Sequence, residues 1–359
     1  MGTSTLTCGT SKISLPHVID LVRQVTRLHD EGRQIVLVSS GAIAAGREEL
    51  DFPELPKFVP SKQMLAAVGQ SHLMSLYGQV FKMYGKIVGQ VLLTRADLSD
   101  RRRYLNARNT LDALLSHNVI PIVNENDTVA TEEIRFGDND SLSALVANLV
   151  EADLLVLLTD QEGLFTKDPR KDSGAKLVRK VSSADIPEEL WAAAGETHSG
   201  LGTGGMVTKL HAADLARRSG TAVVIARGND PNVLLQIADA KPVGTFFSPV
   251  ISHLESRKRY MLAGNHQAGE LIIDRGAAQA LTQGGSLLPV GVVRVEGDFG
   301  RGDTVRVMDL DGKEIALGLV NYTAKDLANL CGHHSNEIET LLGYTFGDEV
   351  IHHNNMMLL

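Results

Sequence analysis

A glycine-rich segment followed by a lysine is the feature of this sequence that points most directly to phosphate chemistry. Four of the six positions from 200 to 205 are glycine, and Lys209 follows in the first turns of a predicted helix. Backbone N–H groups of such a loop bind phosphate oxygens, and a lysine close by neutralises their charge. The spacing is not that of a Walker A motif, because the lysine follows Thr208 rather than the last glycine. A surface loop followed by an ordinary helical lysine is the simpler interpretation.

Polar residues also follow two apolar runs that we predict to be buried strands. One run ends in Ser39, Ser40 and Gly41 before an Ala/Gly-rich helix, and the other leads into the four polar residues 124–127. Ligands of open parallel sheets bind beyond the carboxyl ends of the strands. The second cluster, with two amides and two carboxylates, suits an ammonium or amide group of a polar ligand. For Ser40, helix capping is the simpler interpretation.

A third polar cluster, Asp138, Asn139 and Asp140, directly precedes a predicted helix. An N-cap is the commonest reason for such residues, and their spacing is not that of an EF-hand calcium loop. Together the three clusters and the glycine-rich segment predict transfer of a phosphoryl group from a phosphate-rich ligand to an amino-acid-like one. This reaction relies on positioning and charge stabilisation, so it requires no covalent nucleophile.

The elements that must position these residues have the pattern of an α/β protein. Five continuously apolar runs alternate with amphipathic helical segments, which predicts a mostly parallel sheet with helices on both sides. After about residue 255 short strands follow one another quickly, and the sequence "DLDG" predicts a hairpin turn. We therefore expect a small, strand-rich second domain after a junction at 252–264.

Composition limits the class of protein further. The chain of 359 residues is 43% hydrophobic, and its apolar runs are shorter than a membrane span needs, which predicts a soluble, cytoplasmic protein without a membrane partner. Only two cysteines occur, Cys8 and Cys331, far apart in sequence, which argues against a disulfide framework. The net charge of −8 gives no support for nucleic-acid binding by the whole chain.

Long segments in chain order resemble the glutamate 5-kinase family. The matching stretches are "SSGAIAAGR", "SKQMLAAVGQ", "LLTRADL", "NARNTL", "PIVNENDTVAT", "GDNDSLSALVA", "LLTDQEGLFTKDPR" and "GLGTGGMVTKLHAAD". The resemblance implies an amino-acid-kinase αβα sandwich over residues 1–255 and a β-rich PUA-like domain over 265–345. It also implies phosphorylation of the γ-carboxylate of L-glutamate by ATP with Mg²⁺, the first step of proline biosynthesis.

The resemblance assigns a role to individual positions of this sequence. It implies that Lys209 neutralises charge on the transferred phosphoryl group and that Asp140 orients catalytic lysine side chains. The glutamate-binding residues that it implies are Ser40, Asp127 and Asn139, with Asn124 and Asp138 nearby. The nucleotide-binding residues that it implies are Thr159, Asp160, Thr203, Gly204, Gly205, Met206, Val207, Thr208 and Lys209.

Partners follow from the same resemblance. It implies feedback inhibition by proline at a site that overlaps the glutamate site, a homo-oligomer, and glutamyl phosphate reductase as a partner. PUA domains in other proteins often bind RNA, but here only scattered basic residues of the second domain would support it, so RNA binding stays an open alternative.

One position departs from the family pattern. In the family a strand ending in a lysine precedes the Gly-Thr-Ser turn, whereas here only Met1 precedes Gly2. We expect that the natural chain is longer and carries that strand and lysine upstream. The alternative is a catalytically weakened regulatory or ligand-binding protein of the same fold, because such a lysine stabilises the transition state.

Overall fold

The computed structural model describes residues 1–56, 58–130, 139–195, 205–253, 255 and 267–359. It separates into two compact units. The first comprises Met1–Ser99 with Asn106–His253, and the second comprises Asp100–Leu105 with Leu254–Leu359.

Helices and strands alternate along much of the first unit, whereas three strands follow one another in the second. The helices of the described residues are α1 (Thr3–Thr7), α2 (Leu15–Asp30), α3 (Ala42–Glu49), α4 (Val59–Met83), α5 (Arg95–Ser99), α6 (Arg101–Ser116), α7 (Asn139–Leu149), α8 (Glu188–Ala194), α9 (Met206–Arg218), α10 (Val233–Ala238), α11 (Arg275–Thr282), α12 (Ala324–Leu330) and α13 (Ile338–Leu342). The strands are β1 (Leu37–Val38), β2 (Val88–Leu93), β3 (Ile120–Glu125), β4 (Leu154–Thr159), β5 (Lys180–Val181), β6 (Ala222–Arg227), β7 (Thr245–Phe247), β8 (Gln267–Ile273), β9 (Val292–Gly297), β10 (Thr304–Met308), β11 (Glu314–Leu319) and β12 (Met356–Leu358).

The strands of the first unit form two sheets within the described residues. One has the order β1-β3-β2 and is parallel throughout, and the other has the order β4-β6-β7-β5, in which only β6 and β7 are antiparallel. The predicted α/β class with a mostly parallel sheet is therefore confirmed. Strand β1 is shorter than the predicted run, since regular pairing with β3 covers only Leu37 and Val38.

Parallel pairing brings the polar residues after β1 close to those at the end of β3. Val38 is level with Val123, and the Ser39 N–H donates to the Val123 carbonyl at 2.9 Å. All six residues of β3 are buried, so the strand lies inside the first unit. The carboxyl ends of these two strands consequently share one edge of the sheet, where the ligand sites of such sheets lie.

Helices α3 and α4 touch backbone to backbone at two glycines. A Cβ on Gly69 would lie 1.8 Å from the Ala42 carbonyl oxygen, and a Cβ on Gly46 would lie 1.9 Å from the Leu65 carbonyl oxygen. No side chain fits in either place. This contact fixes how closely α4 approaches the polar segment at the end of β1, because α3 begins at Ala42, just after Gly41.

The second unit is built on a five-stranded sheet with the order β12-β11-β10-β8-β9. Strands β10 and β11 are antiparallel neighbours, and the predicted "DLDG" turn joins them, with Gly312 at a φ of 80°. Helix α12 starts in a capping box between Thr323 and Asp326. The core of this unit lies around buried side chains such as Leu271, Val305 and Tyr322. The predicted small, strand-rich domain is confirmed.

No helix in the described ranges is both long enough and apolar enough to cross a membrane.

The helix contact at Gly69 leads to a stability prediction. We expect Gly69→Ala to destabilise the first unit by about 2 kcal/mol or more, because overpacking a close contact forces the backbones apart. Gly78 is the matched control on the same helix, since a Cβ there would meet nothing within 4 Å. Gly78→Ala should be neutral or stabilising by up to about 1 kcal/mol through helix propensity. Urea unfolding measures both, and equal effects of the two substitutions would contradict the packing argument.

Candidate active site

Three polar side chains from three different segments meet at the carboxyl ends of β1 and β3. Asn139 Nδ2, in the first turn of α7, lies 2.7 Å from Ser40 Oγ, 3.1 Å from Asn124 Oδ1 and 3.4 Å from the Ser39 carbonyl oxygen. We call Ser40, Asn124 and Asn139 the amide cluster. The structure thus brings together three of the predicted substrate-binding residues.

The amide cluster contains an acceptor without a partner. Asn139 Oδ1 is buried and accepts no hydrogen bond in the described part of the chain. Buried polar atoms are nearly always hydrogen-bonded, so an unpaired one calls for an explanation. An oxygen in this position is suited to accept a hydrogen bond from a ligand.

Helix α4 supports the amide cluster from one side. Gln70 Oε1 accepts a hydrogen bond from Asn124 Nδ2 at 2.8 Å. Two turns further along the helix, the buried Tyr77 hydroxyl lies 2.8 Å from Ser39 Oγ, and burial raises the pKa of Tyr77 well above its usual range. Neither Gln70 nor Tyr77 was among the residues predicted from sequence. The signal in the sequence that could have identified them is a polar side chain on the apolar face of a long helix.

A second group of side chains surrounds Asp140, the residue next to Asn139. Lys209 Nζ lies 3.0 and 3.2 Å from the two carboxylate oxygens of Asp140, and Thr208 Oγ1 lies 2.7 Å from one of them. The side chains of Lys209 and Asp140 are 10% and 15% exposed, so water screens this ion pair little. We call Asp140, Thr208 and Lys209 the lysine cluster. Helix α9 begins here at Met206, with Gly205 as its N-cap.

Asp127 shows no contact with either cluster among the described residues. It follows β3, and burial raises the pKa of its carboxyl to about 6. An ionised carboxylate is therefore costly here, and a cationic group nearby would favour it.

Val207 lies in the first turn of α9, and the other predicted residues divide into two groups. Thr159, at the end of β4, donates to the Asp160 carboxylate at 3.0 Å, and no contact of this pair with either cluster is observed among the described residues. Asp138, Thr203 and Gly204 lie outside the described residues.

Protein side chains alone do not form a metal site in the described ranges. No group of three or more His, Cys, Asp or Glu side chains is arranged there to hold a metal ion.

Comparison with known proteins identifies the family. The model of the amino acid kinase family matches residues 1–227, and that of the PUA domain matches residues 269–342. A "Glutamate 5-kinase" of Shewanella sediminis (strain HAW-EB3) is 54% identical over 360 residues, covering 100% of this chain and 96% of the relative. This chain belongs to the glutamate 5-kinases of the amino acid kinase family.

Other glutamate 5-kinases are similar to this chain to nearly the same degree. That of Aliivibrio fischeri is 52% identical, with 100% of this chain and 97% of the relative covered. That of Vibrio campbellii is 51% identical, with 100% and 94% covered. The resemblance drawn from the sequence motifs is confirmed over the full chain.

The raised pKa of Asp127 predicts a pH-dependent loss of stability. As the pH rises from about 4 towards 7, the carboxyl ionises in the unfolded chain before it does so in the folded chain, so folding becomes less favourable. The side chain of asparagine does not ionise, so an asparagine at this position does not lose stability as the pH rises. Without ligands, Asp127→Asn should therefore stabilise the chain by about 1–2 kcal/mol at pH 8 and by less at pH 4.5.

Unfolding followed by fluorescence at both pH values tests this prediction. Asp153 is exposed and belongs to the same unit, so Asp153→Asn is the matched control and should show no such trend. A gain for Asp127→Asn that does not vary with pH would contradict the proposed cause.

Proposed function

We infer that this chain transfers the γ-phosphoryl group of ATP to the γ-carboxylate of L-glutamate, which yields glutamyl 5-phosphate and ADP. Membership of the glutamate 5-kinases supports the reaction. The observation that carries its assignment to this site is the placement of Asn139 and Asp140. These adjacent residues join the amide cluster, suited to an amino acid, to the lysine cluster, suited to phosphate.

We propose that glutamate binds through acceptors that match its α-ammonium group. Asn139 Oδ1 accepts no hydrogen bond among the described residues, and a cation beside the partly buried Asp127 carboxyl would stabilise its ionised form. Ser40 and Asn124 hold the Asn139 amide in place, and we place Asp138 near them on the family resemblance alone. This assignment gives the unpaired atom a partner in the bound state.

We propose that Lys209 stabilises the charge on the phosphoryl group during transfer. An oxygen of the γ-carboxylate attacks the γ-phosphorus, the bond to the bridging oxygen of ADP breaks, and the negative charge moves to ADP. The attacking carboxylate is already ionised at neutral pH, so no general base has to remove a proton. Asp140 and Thr208 fix the Lys209 ammonium in advance, which is how fixed charges contribute most to catalysis.

We propose that the nucleotide binds between the end of β4 and the start of α9. Thr159 is the last residue of the parallel strand β4, and Asp160 follows it. We assign the segment from Thr203 to Lys209 to the phosphates, because α9 begins at Met206 and the first N–H groups of a helix favour phosphate. Mg²⁺ would arrive with ATP and neutralise charge on its phosphates when bound.

The proposals on regulation and assembly rest on the chemistry of proline and on the family resemblance. Proline carries an ammonium but no side-chain carboxylate, so it would compete for the acceptors Asn139 and Asp127 without being phosphorylated. A homo-oligomer, glutamyl phosphate reductase as a partner and a cytoplasmic location are proposed from the family resemblance alone. No observation favours the alternative of a catalytically weakened regulatory protein.

A direct assay tests the proposed function. The chain is incubated with Mg²⁺ and ATP, and ADP release is followed with and without L-glutamate. Hydroxylamine traps an acyl phosphate as a hydroxamate, so glutamate-dependent hydroxamate should accumulate at the rate of ADP release. ADP release that does not depend on glutamate would contradict the proposal.

Replacing the lysine of the lysine cluster tests its role in transfer. We expect Lys209→Met to lower kcat by a factor of about 10² to 10³, which is typical for loss of one charge-stabilising group, with a smaller change in KM for glutamate. Lys241, 56% exposed and in the same unit, is the control, and Lys241→Met should change neither constant. Circular dichroism verifies that both variants are folded, and unchanged kcat in a folded Lys209→Met chain would exclude the proposed role.

The pKa of Asp127 predicts how glutamate use depends on pH. The ammonium of glutamate stays protonated between pH 5 and 7, and its γ-carboxylate, with a pKa of about 4.3, stays ionised. Among the residues proposed to bind glutamate, Asp127 is the one whose pKa lies in this range, so kcat/KM for glutamate should fall about tenfold per pH unit below about pH 6. Asp127→Asn should have a lower and flat profile over the same range, and a parent-like fall in that variant would assign the titration to another group.

A further inference from the structure

Gln70 links helix α4 to the amide cluster. Within the described residues, it is the side chain of α4 that bonds to Asn124. Its Oε1 accepts from Asn124 Nδ2 at 2.8 Å, whereas its Nε2 is buried without a partner in the described part of the chain. Its sequence neighbour Gly69 lies at the close contact between α3 and α4, so the helix has little freedom to move away from the site. Gln70 is thus held in place by packing and uses only its oxygen.

The direction of the amide hydrogen bonds follows from a backbone donor. The Glu125 N–H can only donate, and it lies 2.9 Å from an atom of the Asn124 amide, which must therefore be Oδ1. Asn124 Nδ2 is then the atom that faces Gln70, and Gln70 must present an oxygen to it.

The same direction extends to Asn139. Because Asn124 presents Oδ1, the atom of Asn139 that lies 3.1 Å away must be the donor Nδ2. The Ser39 carbonyl oxygen at 3.4 Å requires a donor as well. The remaining atom of this amide, Oδ1, is left as an acceptor for a ligand.

We propose that Gln70 is a positioning residue, which holds Asn124 and through it keeps Asn139 Oδ1 available to the α-ammonium group of the substrate. This inference rests on the proposed function and extends it to substrate selection. Asn124 is 2% exposed, so loss of Gln70 leaves its Nδ2 buried without an acceptor. The Glu125 N–H and the Asn139 amide then hold Asn124 through Oδ1 alone, and its Nδ2 gains by turning towards another acceptor, which shifts Oδ1 and loosens the orientation of Asn139.

The unpaired Nε2 of Gln70 agrees with this role. Unpaired buried donors are rare because they are costly. Asn124 Nδ2 needs an acceptor, and the oxygen of a glutamine supplies one without introducing a buried charge. This need accounts for a glutamine at position 70 even though its nitrogen has no partner in the described part of the chain. The competing role, in which Nε2 itself donates to a substrate carboxylate, makes a different prediction for the glutamate variant at this position.

The proposed role is tested by comparing the affinities of the chain for L-glutamate and for glutarate. Glutarate has both carboxylates of glutamate but no ammonium group. We expect Gln70→Met to weaken L-glutamate binding about five- to tenfold in calorimetry at pH 8, and to leave glutarate binding and KM for ATP unchanged. A side chain needed only for packing would weaken both ligands alike, so equal losses would overturn the proposal.

Two further variants complete the experiment. Gln79 lies on the same helix and is exposed, so Gln79→Met controls for the change of residue type and should bind both ligands like the parent. Gln70→Glu retains an acceptor for Asn124 Nδ2 and should keep L-glutamate binding within about threefold of the parent. If Gln70→Glu binds glutamate as poorly as Gln70→Met or worse, Gln70 acts through its nitrogen and the positioning role is wrong.

Binding and turnover together separate the role of Gln70 from the proposed function. If the parent chain binds L-glutamate but forms no glutamyl phosphate, only the proposed reaction fails. If the parent binds and turns over glutamate while Gln70→Met binds it equally well, only the positioning role fails. If the parent does not bind glutamate, both are overturned.

Discussion

Two neighbouring side chains at the start of α7 point into different parts of the site and thereby connect them. Asn139 bonds to the ends of β1 and β3, and Asp140 pairs with Lys209 from α9. Since one peptide unit separates the two residues, the distance between the Asn139 amide and the lysine is set by covalent geometry and by the helix. A transfer reaction needs this type of constraint, because misplacing the reacting groups by about 1 Å can cost a hundredfold in rate.

The electrostatic character of the site follows from its burial. The Lys209–Asp140 pair is largely shielded from water, and partial burial of Asp127 raises the pKa of its carboxyl to about 6. Both arrangements keep charge away from water, which is costly in the free chain, and we propose that ligand charges offset this cost. The site thus contains a buried ion pair, an unpaired Asn139 oxygen and a desolvated carboxylate. Polar groups in such arrangements favour ligand binding over the stability of the free chain.

Helix α4 relates the site to the packing of the first unit. The glycine contact with α3 fixes its position. On its buried face, Gln70 bonds to Asn124 near the end of β3, and Tyr77 bonds to Ser39 after β1. A change in helix packing at Gly69 would therefore also shift the amide cluster. The packing of the first unit and the geometry of the amide cluster therefore depend on the same helix.

The sequence by itself determined the fold class, the two domain types, the strands β2, β3, β4 and β6 to within a residue or two, and the polar segments that follow them. Hydrophobic periodicity and strand-end residues are local features, and the family motifs are long enough to be specific. Only the tertiary structure decided which polar residues meet. The Asn139 contacts, the Lys209–Asp140 pair and the inclusion of Gln70 depend on parallel strand pairing and on the approach of α4. Distances between residues dozens of positions apart are set by packing, which no local pattern encodes.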